Sequence, residues 1–191
     1  MTPRLILASS SPRRRDLLAQ IGVVPDDIRS PDIDENPRKS ELPRPYAERM
    51  AAEKALAVSR AEGEVVLAGD TTVAVGRRIL PQAESEADVA RFLRLLSGRR
   101  HRVHSAISVI DAHGNQRVRC ASSQVRFKSL SDEEIAAYAA SGEGIGKAGG
   151  YAIQGTAEGL VQWIRGSHSA VMGLPLFETR ALLRSAGFPL G

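Results

Sequence analysis

Short apolar runs and alternating segments mark the strands predicted from this sequence. Residues 5–8 read Leu-Ile-Leu-Ala and residues 65–68 read Val-Val-Leu-Ala, which is typical of buried strands. Apolar and polar positions alternate over 103–110 and again over 118–127, with Gly114-Asn115 between them. This pattern predicts an antiparallel hairpin.

Helical periodicity fills most of the remaining chain. The first helix follows residues 5–8 at once, because Ser11 and Pro12 suit its first positions, Leu17 and Leu18 lie on its apolar side, and Gly22 suits its end. Capping residues and apolar spacing predict four further helices, over 46–60, 85–98, 131–140 and 175–187. Ser85 is expected to cap the second of these, and Ser131 to open the third with a capping box. Residues 25–45 contain five prolines and are interpreted as an extended, irregular connection.

These elements predict an α/β fold. Strands alternate with helices, but one pair is joined by a hairpin, so the twisted sheet is expected to be mixed and flanked by helices. A chain of 191 residues suits one folding unit. We therefore expect a single domain over 1–191, with two lobes around a cleft.

Composition excludes several classes of protein. Hydrophobic residues make up 42% and charged residues 25% of the chain, unlike a disordered protein. No apolar run approaches the roughly 20 residues that cross a bilayer, so we expect no membrane association and a cytoplasmic location. Cys120 is the single cysteine and cannot form an internal disulfide. The net charge of +4 favours anionic ligands, but aromatic residues are only 4%, so no nucleic-acid partner is expected.

The first candidate site is the turn that precedes the first helix. It reads Ser9-Ser10-Ser11-Pro12 and continues into Arg13, Arg14 and Arg15. Three cations at a helix N-terminus are unfavourable beside the positive end of the helix dipole. They become favourable when an anion binds there to backbone N–H groups, serine hydroxyls and guanidinium groups. The alternative is a solvated basic helix start that is paired with acids elsewhere.

The second candidate is Asp70, which follows residues 65–68 and is expected at a strand end or break. A carboxylate there is well placed to bind a metal or to accept a proton. Asp32, Asp34 and Glu35 add oxygen ligands of the kind that Mg²⁺ prefers. The alternatives are an Asx turn at Asp70 and solvent-facing loop acids.

The third candidate is the glycine-rich segment 142–155. Residues 144–149 match G-x-G-x-x-G but follow a predicted helix, and Lys147 is followed by Ala148 where a phosphate-binding loop needs Ser or Thr. We therefore reject both a dinucleotide-binding motif and a phosphate-binding loop at this segment. This leaves a flexible loop beside a strand that carries Gln154. The amide of Gln154 could bind a base edge or cap a turn.

The histidines and the cysteine give no further candidate. His101 and His104 are three residues apart in a strand and face opposite ways, so they do not form a metal pair. Cys120 has no activating neighbours in sequence and is interpreted as a small core residue.

Six segments, in order, resemble the motifs of the Maf family of nucleoside triphosphate pyrophosphatases, and the likeness covers essentially the whole chain. They are Ser9 to Arg14 (S-x-S-P-R-R), Glu53-Lys54-Ala55, Gly69-Asp70-Thr71, Ser97 to His101 (S-G-x-x-H), Gly146 to Gly155 (G-K-A-G-x-Y-x-I-Q-G), and Gly166-Ser167 through Leu176.

The resemblance implies hydrolysis of a nucleoside triphosphate between its α and β phosphates, with Mg²⁺ or Mn²⁺, by a homodimer. Asp70 would be the catalytic base and would share the metal with Glu35. The phosphates would be held by a group of basic and hydroxyl side chains: Ser9, Ser11, Arg13, Arg14 and Lys54.

Three positions resemble the subgroup that acts on dTTP and UTP: Arg13, Thr71 and Gln154. One position departs from it, because Gln82 stands where an I-L-x-K-P string has lysine. Loss of that charge would weaken phosphate binding by about 1.5–3 kcal/mol. The family likeness leaves a second hypothesis open, a nucleotide-binding regulator of cell division with weak or no catalysis. The basic composition leaves a third, a nucleic-acid-binding domain.

Overall fold

The computed structural model describes residues 3–190. Its strands are β1 (Arg4–Ala8), β2 (Asp27–Ile28), β3 (Glu64–Val75), β4 (Arg78–Leu80), β5 (Arg100–Ile110), β6 (Gln116–Phe127) and β7 (Val161–Arg165). Its helices are α1 (Pro12–Gln20), α2 (Pro43–Ala57), α3 (Glu86–Leu96), α4 (Asp132–Ala140), α5 (His168–Met172) and α6 (Leu176–Ser185), with a 3-10 helix at Thr156–Leu160. None of the helices formed by residues 3–190 is both long and apolar enough to cross a membrane.

The strands form one mixed sheet, which confirms the predicted fold class. Its order is β2-β1-β3-β5-β6-β7, and β4 pairs with β3 beside this path. β1 is parallel to β2 and β3, whereas β3, β5, β6 and β7 are antiparallel in succession. The predicted hairpin is β5–β6, with Ile110 opposite Gln116 at its turn.

Helices cover both faces of the sheet because side chains alternate along β3. Val65, Leu67 and Val73 all point to one face of the sheet. The helices α1 and α6 pack on this face beside Val65 and Leu67, and α3 and α4 pack on it beside Val73. Val66 and Ala68 point to the opposite face and contact α2. The even-numbered residues of β3 therefore face α2.

Two large hydrophobic clusters define the two lobes. One contains Leu17 of α1 with β1, the first half of β3 and α6, and the other contains Phe92 of α3 with Phe127 of β6 and the second half of β3. β3 and β5 run through both clusters. The lobes are thus joined by continuous strands, with the middle of β3 between them.

The prediction of a strand end or break at Asp70 is wrong. β3 continues through it, because β5 pairs with β3 without interruption from Val66 to Ala74. The local signal was misleading: Gly69 and Asp70 are poor strand formers in isolation, but the neighbouring strand β5 pairs with them.

Other differences involve short or proline-rich segments. α2 begins at Pro43, three residues before the predicted start, because prolines fit the first turn of a helix. The short elements β2, β4, β7 and α5 were not predicted, and the longest of these has five residues. The capping box at Ser131 and the cap at Ser85 are both present as predicted.

Replacement of Leu17 by alanine tests the core of the first lobe. Leu17 is fully buried, whereas Leu56 of α2 is 64% exposed. We expect Leu17→Ala to lower the free energy of unfolding by about 2–5 kcal/mol, because a cavity replaces the side chain. The matched Leu56→Ala variant is expected to change it by less than about 1 kcal/mol. Urea denaturation measures both, and equal losses would contradict this assignment of the core.

Candidate active site

A cleft of about 290 Å³ opens where one edge of β3 changes its partner. β1 pairs with residues 64–68 of that edge and β4 pairs with residues 73–75. Between them, residues 69–72 have no partner strand on this side among the described residues. The cleft is lined by the ten side chains that the family motifs assign to the site: Ser9, Ser11, Arg13, Arg14, Glu35, Lys54, Asp70, Thr71, Gln82 and Gln154. Asp32 and Asp34, which the sequence also offered as oxygen ligands, are exposed and do not line it.

The end of β1 and the start of α1 form the first wall. Ser11 is the N-cap residue by backbone conformation, but its side chain caps no N–H group of the helix. Ser9 Oγ instead accepts hydrogen bonds from the Ser11 N–H group at 3.1 Å and from Arg14 Nη1 at 3.0 Å. No acidic residue lies in the first turn of α1. This wall therefore presents hydroxyls and guanidinium groups to the cleft at the positive end of the helix dipole.

The turn after α5 orients both arginines. Arg13 Nε donates to the Met172 carbonyl at 3.3 Å, and Arg14 Nε donates to the Gly173 carbonyl at 3.0 Å. Burial lowers the pKa of both guanidinium groups, and the nearby Asp70 charge partly offsets the effect at Arg14. Two cations that have lost hydration without a direct carboxylate partner favour the binding of an anion.

Lys54 of α2 links the two acidic residues of the cleft. Its buried ammonium donates to Asp70 Oδ1 and to Glu35 Oε2, each at 2.8 Å. Thr72 donates to the other Asp70 oxygen at 3.0 Å. Asp70 meets Lys54, and Thr72 lies on the same side of β3, because even-numbered residues of β3 face α2. Sequence reasoning placed Lys54 on phosphates and did not predict that it bridges these carboxylates.

Thr71 lies on the opposite face of β3. Its hydroxyl donates to the Gly173 carbonyl at 3.3 Å and accepts from Ser105, its partner on β5, at 3.1 Å. The Gly173 carbonyl therefore contacts both Thr71 and Arg14. Ser105 was not identified from the sequence, because only the β3–β5 register brings it beside Thr71.

Gln82 and Gln154 are exposed side chains on the far wall. Gln82 follows β4 and forms an isolated bridge with Ala148. Residues 151–155 form a loop, so the prediction of a strand that carries Gln154 is wrong. The loop is instead held by side chains: the Ala152 N–H group donates to the Tyr138 hydroxyl at 3.0 Å, and His101 Nε2 shares a 2.7 Å hydrogen bond with the Tyr151 hydroxyl.

His101, His104 and Cys120 lie in separate environments within the described chain, none of which forms a catalytic or metal-binding group. His101 packs with Tyr151 and Phe127, while His104 lies on the other face of β5 beside Ser122, which confirms that the two histidines do not form a pair. Cys120 is half-buried, not fully in the core, and burial raises the pKa of its thiol to about 11. A raised thiol pKa is the opposite of nucleophile activation.

The cleft offers oxygen ligands for a divalent cation. Among residues 3–190, no three His, Cys, Asp or Glu side chains cluster as a metal site. Glu35 and Asp70 nevertheless converge on one point, now taken by the Lys54 ammonium. Mg²⁺ is commonly bound by one or two carboxylates together with substrate phosphates and water. The donor set fits such an ion when a phosphate chain supplies the other ligands.

The fold and the site define an α/β protein whose cleft has an excess of positive charge. The sequence model of the family described as Maf-like protein matches residues 4–186, and the chain belongs to this family.

Known relatives share almost the full length of the chain. The dTTP/UTP pyrophosphatase of Sphingopyxis alaskensis is 64% identical over 189 residues, which cover 99% of this chain and 100% of the relative. The protein of the same name from Novosphingobium aromaticivorans is 59% identical over 97% of this chain and 92% of its own. Among solved structures, the Staphylococcus aureus Ham1 protein has the same fold, with a TM-score of 0.55 at 15% identity over 95% of this chain and 98% of its own.

The buried His101 makes stability depend on pH. Burial lowers its pKa to about 4, and its Nδ1 atom has no hydrogen-bond partner among the described residues. Between pH 6.5 and 4 the unfolded chain binds a proton that the folded protein excludes, so stability falls as the pH is lowered through this window. We expect a loss at pH 5 of about 2 kcal/mol relative to pH 7 from this group.

Denaturant unfolding of wild type and His101→Gln at pH 7 and pH 5 measures the effect. Glutamine cannot titrate, so the variant is expected to lose about 2 kcal/mol less than wild type between the two pH values. Equal losses in the two proteins would show that His101 does not carry the pH dependence.

Proposed function

We propose that this Maf-family protein is a nucleoside triphosphate pyrophosphatase that hydrolyses dTTP and UTP to the monophosphate and pyrophosphate. The observation that carries the proposal is the cleft itself, in which the carboxylate of Asp70 lies beside a cationic wall that suits polyphosphate. Relatives of 64% and 59% identity that bear this activity in their names support it.

The first wall binds the phosphates in this proposal. Arg13 and Arg14 are oriented through Nε by backbone carbonyls, which leaves outer guanidinium nitrogens for phosphate oxygens. Ser9 and Ser11 add hydroxyls, and the positive end of the α1 dipole favours an anion at this position. Such positioning and charge neutralisation account for most of the catalysis of phosphoryl transfer.

Asp70 activates water. Its carboxylate accepts the proton as the water oxygen bonds to the α phosphorus, and the bridging oxygen leaves with pyrophosphate. The Lys54 ammonium and the Thr72 hydroxyl fix the orientation of the carboxylate. Lys54 lines the same cleft, and the family resemblance assigns it to the phosphates as well.

Glu35 and Asp70 hold a divalent cation, Mg²⁺ or Mn²⁺, in this proposal. When bound with substrate, the ion neutralises phosphate charge and lowers the pKa of a bound water. Because both carboxylates contact the Lys54 ammonium, an ion held by them would require Lys54 to release one of the two. Lys54 could keep its contact with Asp70 and also meet a phosphate, as the family resemblance implies for this residue.

Gln154 and Thr71 select the base. A glutamine amide offers an acceptor next to a donor. Uracil and thymine present an N–H donor beside carbonyl acceptors, so one amide can satisfy both groups at once. Gln154 is exposed in a loop that the Tyr138 and His101 contacts hold in place, and this supports its use as a reader of pyrimidines.

The proposal includes the biological setting. The enzyme acts in the cytoplasm, where its substrates are found, as one catalytic unit over the whole chain and as a homodimer. The cleft is lined by residues from Ser9 to Gly173, which supports treating the chain as one unit. Analytical ultracentrifugation measures the oligomeric state.

Replacement of Asp70 by asparagine tests the chemistry. We expect Asp70→Asn to lower pyrophosphate release from dTTP and UTP by a factor of about 10²–10⁴, because an amide cannot accept the proton. The exposed Asp16 of α1 provides a control, since Asp16→Asn removes the same charge outside the cleft. Wild type that releases no pyrophosphate from any nucleoside triphosphate with Mg²⁺ or Mn²⁺ would overturn the proposal.

Replacement of Gln82 by lysine tests the departure from the family pattern. Because Gln82 is exposed on the cleft wall, we expect Gln82→Lys to lower KM for dTTP about threefold to tenfold, with little change in kcat. Gln20→Lys, at the exposed end of α1, adds the same charge outside the cleft and is expected to leave KM unchanged. Identical KM values for all three proteins would mean that position 82 does not meet the phosphates.

A further inference from the structure

Three of the four cations in the cleft form no ion pair with a carboxylate of residues 3–190. Arg13, Arg14, Lys54 and Lys147 line the cleft together with two acids, Glu35 and Asp70. Both acids contact the Lys54 ammonium at 2.8 Å. The cleft therefore has an excess of two positive charges. Of its four cations, only Lys147 has no role in the proposed reaction.

Lys147 belongs to a loop that is fixed against β4 and its extension. The Ala83 N–H group donates to the Lys147 carbonyl at 3.1 Å, and the Gly149 N–H group donates to the Pro81 carbonyl at 3.1 Å. At Gly149, where φ is +69°, an added Cβ would lie only 2.7 Å from Val73. Glycine thus lets the loop approach β3, and this close approach gives the Lys147 backbone a defined position.

The side chain of Lys147 is half-buried and weakly bonded. Its only hydrogen bond within the described chain is a 3.5 Å contact from Nζ to the Ile145 carbonyl. Burial lowers the pKa of the ammonium, and the positive charge of Arg13 lowers it further. Lys147 and Arg13 thus act on each other within one cleft, and neither has an ion-paired carboxylate nearby.

Two partly desolvated like charges are unfavourable in the empty protein. An anion bound between them removes the repulsion and gains charge-assisted hydrogen bonds from both. A single carboxylate cannot do this as well as a chain of phosphates, which carries several charges along its length.

We propose that Lys147 is a further substrate-binding residue, which holds the polyphosphate chain from the wall opposite α1 while Arg13 holds it from the helix. The ligand class is a linear polyphosphate, either attached to a nucleoside or free as pyrophosphate. This inference rests on the proposed function and adds a residue to its site.

Pyrophosphate binding tests the inference without requiring hydrolysis. Isothermal titration calorimetry with pyrophosphate and Mg²⁺ is carried out on wild type, Lys147→Gln, Lys147→Arg and Lys39→Gln. We expect the Kd to rise about tenfold in Lys147→Gln and to return close to wild type in Lys147→Arg. Lys39 is exposed and outside the cleft, so Lys39→Gln is expected to bind like wild type.

Kinetics provide a second measurement. KM for dTTP is expected to rise about tenfold in Lys147→Gln with kcat changed less than about threefold, since the residue binds the chain and does not move a proton. The melting temperature is expected to stay within a few degrees of wild type, because the side chain has no close partner to lose. A large loss in melting temperature together with a lost pyrophosphate affinity that Lys147→Arg does not rescue would indicate a structural role and overturn the inference.

The outcomes separate this inference from the proposed function. Unchanged pyrophosphate affinity and KM in Lys147→Gln, with an active wild type, overturn the inference and leave the proposed function standing. Wild type that binds pyrophosphate through Lys147 but releases none from dTTP or UTP supports the inference and overturns the proposed function.

Discussion

The contact of the Lys54 ammonium with Asp70 and Glu35 is the interaction on which the cleft depends. It joins three parts of the chain: α2, the middle of β3 and the irregular connection before α2. Asp70 and Lys54 are both buried, and removal of one partner of a buried pair typically costs about 3–5 kcal/mol because the other charge is left uncompensated. The same charges that fix these elements also give the cleft its chemistry.

The cleft exists because β3 is longer than its neighbours on one edge. β1 ends at Ala8 and β4 begins to pair only at Val73, so the backbone between them faces the cleft. β5 on the other edge pairs with this part of β3 without interruption. The lobes can therefore bury separate hydrophobic clusters while the strand that joins them carries Asp70 at their boundary.

The remaining charges of the cleft are unbalanced. Arg13 and Arg14 bond through Nε to backbone carbonyls, and Lys147 lies on a loop that glycine allows to approach β3 closely. None of the three has an ion-paired carboxylate among the described residues. A protein that keeps desolvated cations in this way loses some stability when empty and regains it when a polyanion binds. The loop that carries Gln154 completes the cleft, and neutral side chains hold it there.

The sequence by itself determined the long, strongly patterned elements and the membership of the site. The cap at Ser85, the capping box at Ser131, the β5–β6 hairpin and the run from Ser9 to Arg14 depend on neighbouring residues, so local patterns identify them. The motifs also named ten side chains, and the structure brings all of them to one cleft.

The tertiary structure decided how these side chains are paired. That β3 continues through Asp70, that Lys54 lies between two carboxylates and that Ser105 contacts Thr71 all follow from strand register and helix packing between residues far apart in sequence. No local pattern contains that information, because each of these contacts depends on which distant segment the fold places beside β3.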